Sequence, residues 1–286
     1  MKNETDLTRL ARQWGATAVP FGQVNPQDWL ETPQVELVRT RLHQAALLRS
    51  VLLLSGPNGV GKSALVGRWL RELDGRLFCP LSLTQATLSG SSILSALVMK
   101  LGKPMSFRRE RNLQLFEQAL GELDKRILVV VLDEAQNYTH NSLEEVRLLL
   151  GLNLPEQPAF ALILIGDEYL LSTLKLRNHR ALYSRLASQV SLEPWTATQA
   201  AQYVEAGLSA VGLTKSAIEP AATELLASAS AGLVRSLCLL ARAAWIAAAT
   251  AGVQRIAVTH VQTALDTVPF VPGLHQPPTP SLPSAE

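Results

Sequence analysis

The apolar run Leu52-Leu53-Leu54 enters the turn Ser55-Gly56-Pro57-Asn58-Gly59-Val60-Gly61 and then delivers Lys62 and Ser63; no other stretch restricts the fold so strongly. Gly56, Gly59 and Gly61 allow positive φ and close approach of the backbone to a ligand. The pattern G-x-x-x-x-G-K-S/T is met in full, with a strand in front and a helix behind, so consecutive N–H groups can surround the β-phosphate of a nucleotide at a helix N-terminus. Lys62 then reaches the β- and γ-phosphates, and Ser63 ligates Mg²⁺. The binding residues read from this stretch are Gly56, Pro57, Asn58, Gly59, Val60, Gly61, Lys62 and Ser63.

The rest of the chain is arranged around that turn. A helix is expected over 34–48, where Val38, Leu42 and Ala45 recur at helical spacing, then a strand over 51–54 and a helix over 62–73. Further strands are expected near 77–81, over 127–132 and 161–165, and near 189–192, with helices over 92–101 and around Leu115, Leu120 and Leu123. The run Ile127-Leu128-Val129-Val130-Val131-Leu132 is apolar throughout, as a strand covered on both faces requires. Strands alternating with helices give an α/β fold with a doubly wound parallel sheet. After Pro194 alanine-rich helices follow over 198–211, 220–228, 233–249 and 259–267, a small helical domain. The domain reading is therefore an irregular N-terminal arm over 1–34, an ATPase-type core over 35–194, a helical lid over 195–270 and a proline-rich disordered tail over 271–286.

Composition excludes several classes. The 26 basic and 24 acidic residues leave a net charge of +2, too little for a global field toward nucleic acid or anionic lipid, so any nucleic-acid surface must be local. Cys79 and Cys238 sit in apolar segments, which suits buried thiols in a reducing compartment. Met1 to Asp6 has no apolar leader, and no run approaches the roughly 18 apolar residues that span a bilayer. A cytoplasmic, membrane-free protein is expected. The five histidines and two cysteines show no metal-ligand spacing.

Asp133-Glu134 closes the most apolar strand, where a nucleotide hydrolase needs two carboxylates with different duties. Asp133 would hold Mg²⁺ through its water shell, and Glu134 would polarise the attacking water. Gly166-Asp167-Glu168 ends the next strand; Asp167 either senses the γ-phosphate or caps a helix. Asn141-Ser142-Leu143-Glu144 reads as a capping box. Lys175, Arg177, Arg180 and Arg185 follow with no acid between Tyr169 and Leu192, as a solvated basic face or as the source of an arginine finger, with Arg185 the first choice and Arg180 the second. Lys100, Lys103, Arg108, Arg109 and Arg111 stand against Glu110 alone in a loop-like segment. They form either a solvated loop or a stripe, with Lys103, Arg108, Arg109 and Arg111 gripping DNA phosphates.

Taken in order, the phosphate loop, Leu132-Asp133-Glu134-Ala135-Gln136, Leu164-Ile165-Gly166-Asp167-Glu168-Tyr169-Leu170, Ser184-Arg185-Leu186 and Gly232-Leu233-Val234-Arg235 resemble an AAA+ ATPase of the ExeA/TnsC type. Trp14-Gly15 with Pro20-Phe21 resembles the arm that begins ExeA-like modules. The resemblance implies a five-stranded P-loop sheet of order 5-1-4-3-2, ATP with Mg²⁺, Pro20 and Phe21 near the adenine, Arg185 as finger, Arg235 as second sensor, and a homo-oligomeric ring or helical filament. One branch of the family, similar to TnsC, TniB, IstB and Mu B, coats target double-stranded DNA in the ATP state and recruits or stimulates a transposase. The other comprises secretion ATPases that carry a membrane helix and a peptidoglycan-binding region after the ATPase. With neither addition in this sequence, the transposition branch is the expectation. The alternatives are an ExeA-like protein-remodelling ATPase and a nucleotide-dependent scaffold. Asp167 departs from the sensor residue of many members.

Overall fold

A computed structural model describes residues 6–22, 30–84, 90–153 and 157–269. The tail expected over 271–286 lies outside the described residues. The chain opens on a helix, α1 (Asp6–Gln13), where an irregular arm was expected. Leu7, Leu10, Ala11 and Trp14 recur at helical spacing, and Ala11 and Trp14 are buried. The short amphipathic period was hidden by the polar residues between them.

The described residues form two compact units, one within 32–58 and 62–193, the other within 1–31, 59–61 and 194–286. In the first, α2 (Pro33–Leu47) starts at Thr32, whose hydroxyl accepts the Val35 N–H at 3.2 Å, with proline at the first helical position. The elements β1 (Val51–Ser55), α3 (Lys62–Glu72), β2 (Phe78–Leu83), α4 (Gly90–Lys100), α5 (Arg109–Glu122) and β3 (Ile127–Leu132) come next. Then come α6 (His140–Leu150), β4 (Ala161–Ile165), α7 (Leu170–Lys175), α8 (Arg180–Tyr183) and β5 (Leu186–Ser191).

The five strands form one parallel sheet in the order β2-β3-β4-β1-β5, which is 5-1-4-3-2 read from the other edge. β1, β3 and β4 are buried at every residue, as expected of strands covered on both faces. Phe116 and Phe160, both fully buried, meet edge to face at 6.1 Å in the core beside the sheet. The register sets Leu54 beside Ile165 and Leu132 beside Leu164, so Gly56, Asp133 and Gly166 leave the sheet at one edge. This is the carboxyl edge, where open α/β sheets place ligands.

Three local expectations shift. β5 begins three residues before the expected 189–192 strand. α6 is capped by Thr139, whose hydroxyl accepts the Ser142 N–H at 3.2 Å; the Asn141–Glu144 box does not form, because Glu144 is drawn to the Arg147 guanidinium at 2.9 Å. Finally, α5 starts at Arg109, so Arg109 and Arg111 lie in the first turn of a helix and not in a loop.

In the second unit α9 (Ala197–Ser209), α10 (Pro220–Ala229), α11 (Val234–Thr250) and α12 (Val258–Thr267) pack around the fully buried Trp245, which Trp14 meets edge-on at 6.2 Å. α9 carries a full capping box between Thr196 and Gln199. Among the described residues no helix is long and apolar enough to cross a membrane.

Candidate functional site

β1 ends at Ser55, and the chain turns at Gly56 with φ of +146°; a Cβ there would lie 2.3 Å from the Leu192 carbonyl oxygen, so no other residue fits. The turn leads into α3, whose first residue is Lys62. The opening N–H groups of a helix have no intrahelical acceptor and carry the positive end of its dipole. Lys62 is buried, and its Nζ donates to the Gly56 and Pro57 carbonyls at 2.7 and 3.0 Å. A buried ammonium, glycine backbone and a helix N-terminus make a site of donors, and a polyphosphate is the ligand such a set fits. Ser63 is exposed next to Lys62 and Asp133 is half-buried at the end of β3; a hydroxyl and a carboxylate are the hard oxygen donors Mg²⁺ takes while keeping several waters.

The two carboxylates differ in surroundings as the chemistry asks. Asp133 Oδ1 accepts the Glu134 N–H at 2.9 Å. Glu134 holds φ +52° and ψ +43°, left-handed backbone that a residue with a Cβ adopts at a cost of about 1–3 kcal/mol. That turn aims the glutamate into a relay: Glu134 Oε2 accepts from Gln136 Nε2 at 2.7 Å, and Gln136 Oε1 accepts the Asp167 N–H at 3.3 Å. One amide therefore links the ends of β3 and β4. Gln136 stood in the sequence as part of a motif without a role; the only signal was an amide two residues past an acidic pair. Next to it, Tyr138 is buried and donates to the Leu83 carbonyl at 3.2 Å; burial, then the charge of Asp133, pushes its phenol up to about 12.

Gly166 closes this corner. A Cβ there would meet Leu170 Cδ2 at 2.4 Å and Gln136 Oε1 at 2.8 Å. Gly166→Ala is expected to destabilise the protein by about 1–3 kcal/mol, read from the midpoint of urea unfolding. An unchanged midpoint would show that the corner has slack.

Asp167 does the work of a cap here. Its Oδ1 accepts the N–H groups of Tyr169 and Leu170, each at 3.0 Å, and so opens α7. Of the two candidate arginines, Arg185 is half-buried with Nη1 donating to the Arg147 carbonyl. Arg180 is exposed and lines an open cleft of about 550 Å³ with His140, Glu144, Arg177, Asn178, Ala181 and Ser184. His179 packs edge-on against His140 at 4.9 Å, and burial followed by the His140 charge lowers its pKa.

In the second unit Pro20 is buried and the Phe21 ring lies against Gly207 of α9, where an added Cβ would come within 2.6 Å of Phe21 Cε1. The loop tip Gly59–Gly61 groups with this unit, in which the Arg235 N–H donates to the Gly59 carbonyl at 3.0 Å and the Arg235 side chain is exposed.

The basic cluster is less bare than its sequence. Lys103 Nζ lies 2.6 Å from Glu122 Oε2, and Arg109 Nε lies 3.2 Å from Glu145 Oε1. Glu145 is buried, and desolvation raises its pKa despite the Leu94 N–H and Arg109. Arg111 reaches Gln114 at 3.2 Å, and among the described residues no acid is seen to pair with Arg108 or Arg111. The two acids that pair with the cluster are brought to it by the fold.

Residues 46–174 match the AAA domain family. General secretion pathway protein A of Aeromonas hydrophila is 28% identical over 212 residues, 72% of this chain and 38% of that protein. ATP-dependent target DNA activator B of Escherichia phage Mu is 28% identical over 167 residues, 58% of this chain and 50% of that protein. The chain thus spans half or less of the length of these curated relatives. Among solved structures, Cdc6p from Pyrobaculum aerophilum superposes with a TM-score of 0.71 at 18% identity, covering 91% of this chain and 71% of that one. The Aeropyrum pernix ORC1 protein in complex with DNA gives 0.69 at 21% identity, covering 86% and 68%. At these identities the structures establish the fold alone.

Proposed function

Since the chain is an AAA+ protein of the ExeA/Mu B type, we propose that it hydrolyses ATP and uses the ATP state to assemble on double-stranded DNA as a regulator of transposition. The observation that carries the hydrolytic part is the Glu134–Gln136–Asp167 relay across the carboxyl edge of the sheet. Lys62 and the loop N–H groups would bind the phosphates, and Ser63 and Asp133 would hold Mg²⁺. The metal neutralises phosphate charge when bound. Glu134 takes a proton from the attacking water, and Gln136 keeps its carboxylate oriented and carries its position to the end of β4. Arg180 or Arg185 of a neighbouring copy completes the site. This makes turnover dependent on a homo-oligomer, ring or filament.

The DNA part is supported by the exposed Arg108 and Arg111 and by the relative named as a target DNA activator. A transposase recruited to the coated DNA is the partner this reading requires, with the protein acting in the cytoplasm. Phosphate contacts release counterions, so log K falls with log salt by about 0.9 per contact. Arg108→Glu with Arg111→Glu is expected to lower the slope by roughly 2 and to leave ATP affinity intact. An unchanged slope takes this patch out of the interface. A second reading, an ExeA-like ATPase acting on a protein, is favoured by the longer match, 212 against 167 residues, to the secretion protein. It predicts no duplex binding in any nucleotide state.

A further inference from the structure

Between α4 and α5 the chain exposes Phe107 fully, with Met105 half exposed two residues before it and Arg108 and Arg111 on its other side. The backbone that carries this ring is braced from α5. Asn112, buried in α5, accepts the Ser106 N–H at 2.7 Å and donates through Nδ2 to the Ser106 carbonyl at 2.8 Å and to Ser95 Oγ at 3.0 Å. Ser106 Oγ in turn accepts the Arg108 N–H at 3.2 Å. The backbone on both sides of Phe107 is therefore hydrogen-bonded, and its ring is fully exposed on that corner.

The charge around that corner selects the partner. Lys103 and Arg109 are paired, while Arg108 and Arg111 are exposed and form no ion pair among the described residues. Arg109 and Arg111 lie in the first turn of α5, at the positive end of its dipole, the unfavourable end for a cation. A bound polyanion relieves that conflict. Duplex DNA offers both partners that this corner presents itself to, phosphates for Arg108 and Arg111 and a stacked base step for an exposed aromatic ring.

We propose that Phe107 is a wedge that enters a base step of duplex DNA while Arg108 and Arg111 grip the flanking phosphates. The proposal rests on the DNA-binding reading above. Apolar side chains inserted this way partly unstack the step they enter, and a step that is already weakened accepts them more readily. Phe107 thereby makes the protein prefer deformable or mismatched duplex without reading sequence.

The test uses the full chain with ATP and two duplexes carrying 2-aminopurine, one fully paired and one with a single mismatch beside the probe. The wild type is expected to bind the mismatched duplex more tightly and to raise 2-aminopurine fluorescence. Phe107→Ala should lose the preference and the fluorescence rise, with a loss of affinity for the mismatched duplex of roughly tenfold, and keep its ATP affinity and salt slope. Phe107→Leu, still apolar, should keep part of both signals. Arg108→Ala should weaken both duplexes alike. If the wild type binds both duplexes equally with no fluorescence change, or if Phe107→Ala behaves as the wild type, the wedge is overturned and DNA binding stands; in the second case Phe107 serves solvent or a protein partner. If the wild type binds neither duplex, the DNA reading fails with it.

Discussion

Lys62→Ala is expected to weaken ATP binding by roughly 100-fold or more. Hydrogen bonds to charged groups are worth about 1.5–3 kcal/mol each, and in the proposed site the ammonium would contact two phosphates. The structure adds a second loss. Lys62 Nζ bridges the Gly56 and Pro57 carbonyls, so its removal also releases the turn whose geometry aligns the N–H donors. Isothermal titration with ATP and Mg²⁺ reads the effect, and nucleotide-dependent assembly should vanish in the same protein. Affinity within threefold of wild type would mean that the loop backbone binds the phosphates unaided.

Glu134→Gln is expected to cut turnover by about 100- to 10,000-fold at unchanged ATP affinity, the range for removing a general base. The amide is isosteric and can still accept from Gln136 Nε2, so the left-handed turn and the relay stay in place while the basicity is lost. Bound ATP and persistent oligomers should follow, measured as phosphate release and as particle mass. Undiminished turnover would exclude Glu134 as the residue that activates water.

What could be read in advance divides along physical lines. The phosphate loop was legible because Gly56 admits no substitute and because Lys62 must start a helix. The order of the sheet followed from the resemblance, and the burial of β3 from six apolar residues in a row. The rest depends on side chains that meet only after folding. Glu145 reaches Arg109 across 36 residues, and Glu122 reaches Lys103 across 19, so a cluster that looked bare is partly neutralised. Gln136 acquires its role only when β4 lies beside β3. Thr139 replaced Asn141 as a cap because Glu144 had a better partner in Arg147. Asp167, offered as sensor or cap, has its Oδ1 engaged by the N–H groups of Tyr169 and Leu170 at the start of α7.

The arginines show the same limit. Sequence placed Arg185 ahead of Arg180, yet within one protomer Arg185 is held by the Arg147 carbonyl while Arg180 faces an open cleft. Which of them reaches a neighbouring nucleotide depends on the assembled interface, which no single chain encodes locally.

Under the proposed function, ATP controls DNA binding by this protein. Fluorescence anisotropy of a labelled duplex, with ATP, a slowly hydrolysed analogue, ADP or no nucleotide across a salt series, tests it directly. Tight, salt-sensitive binding with ATP and the analogue, and weak binding with ADP or none, is the predicted result; binding that is absent, or equal in all four states, would contradict it.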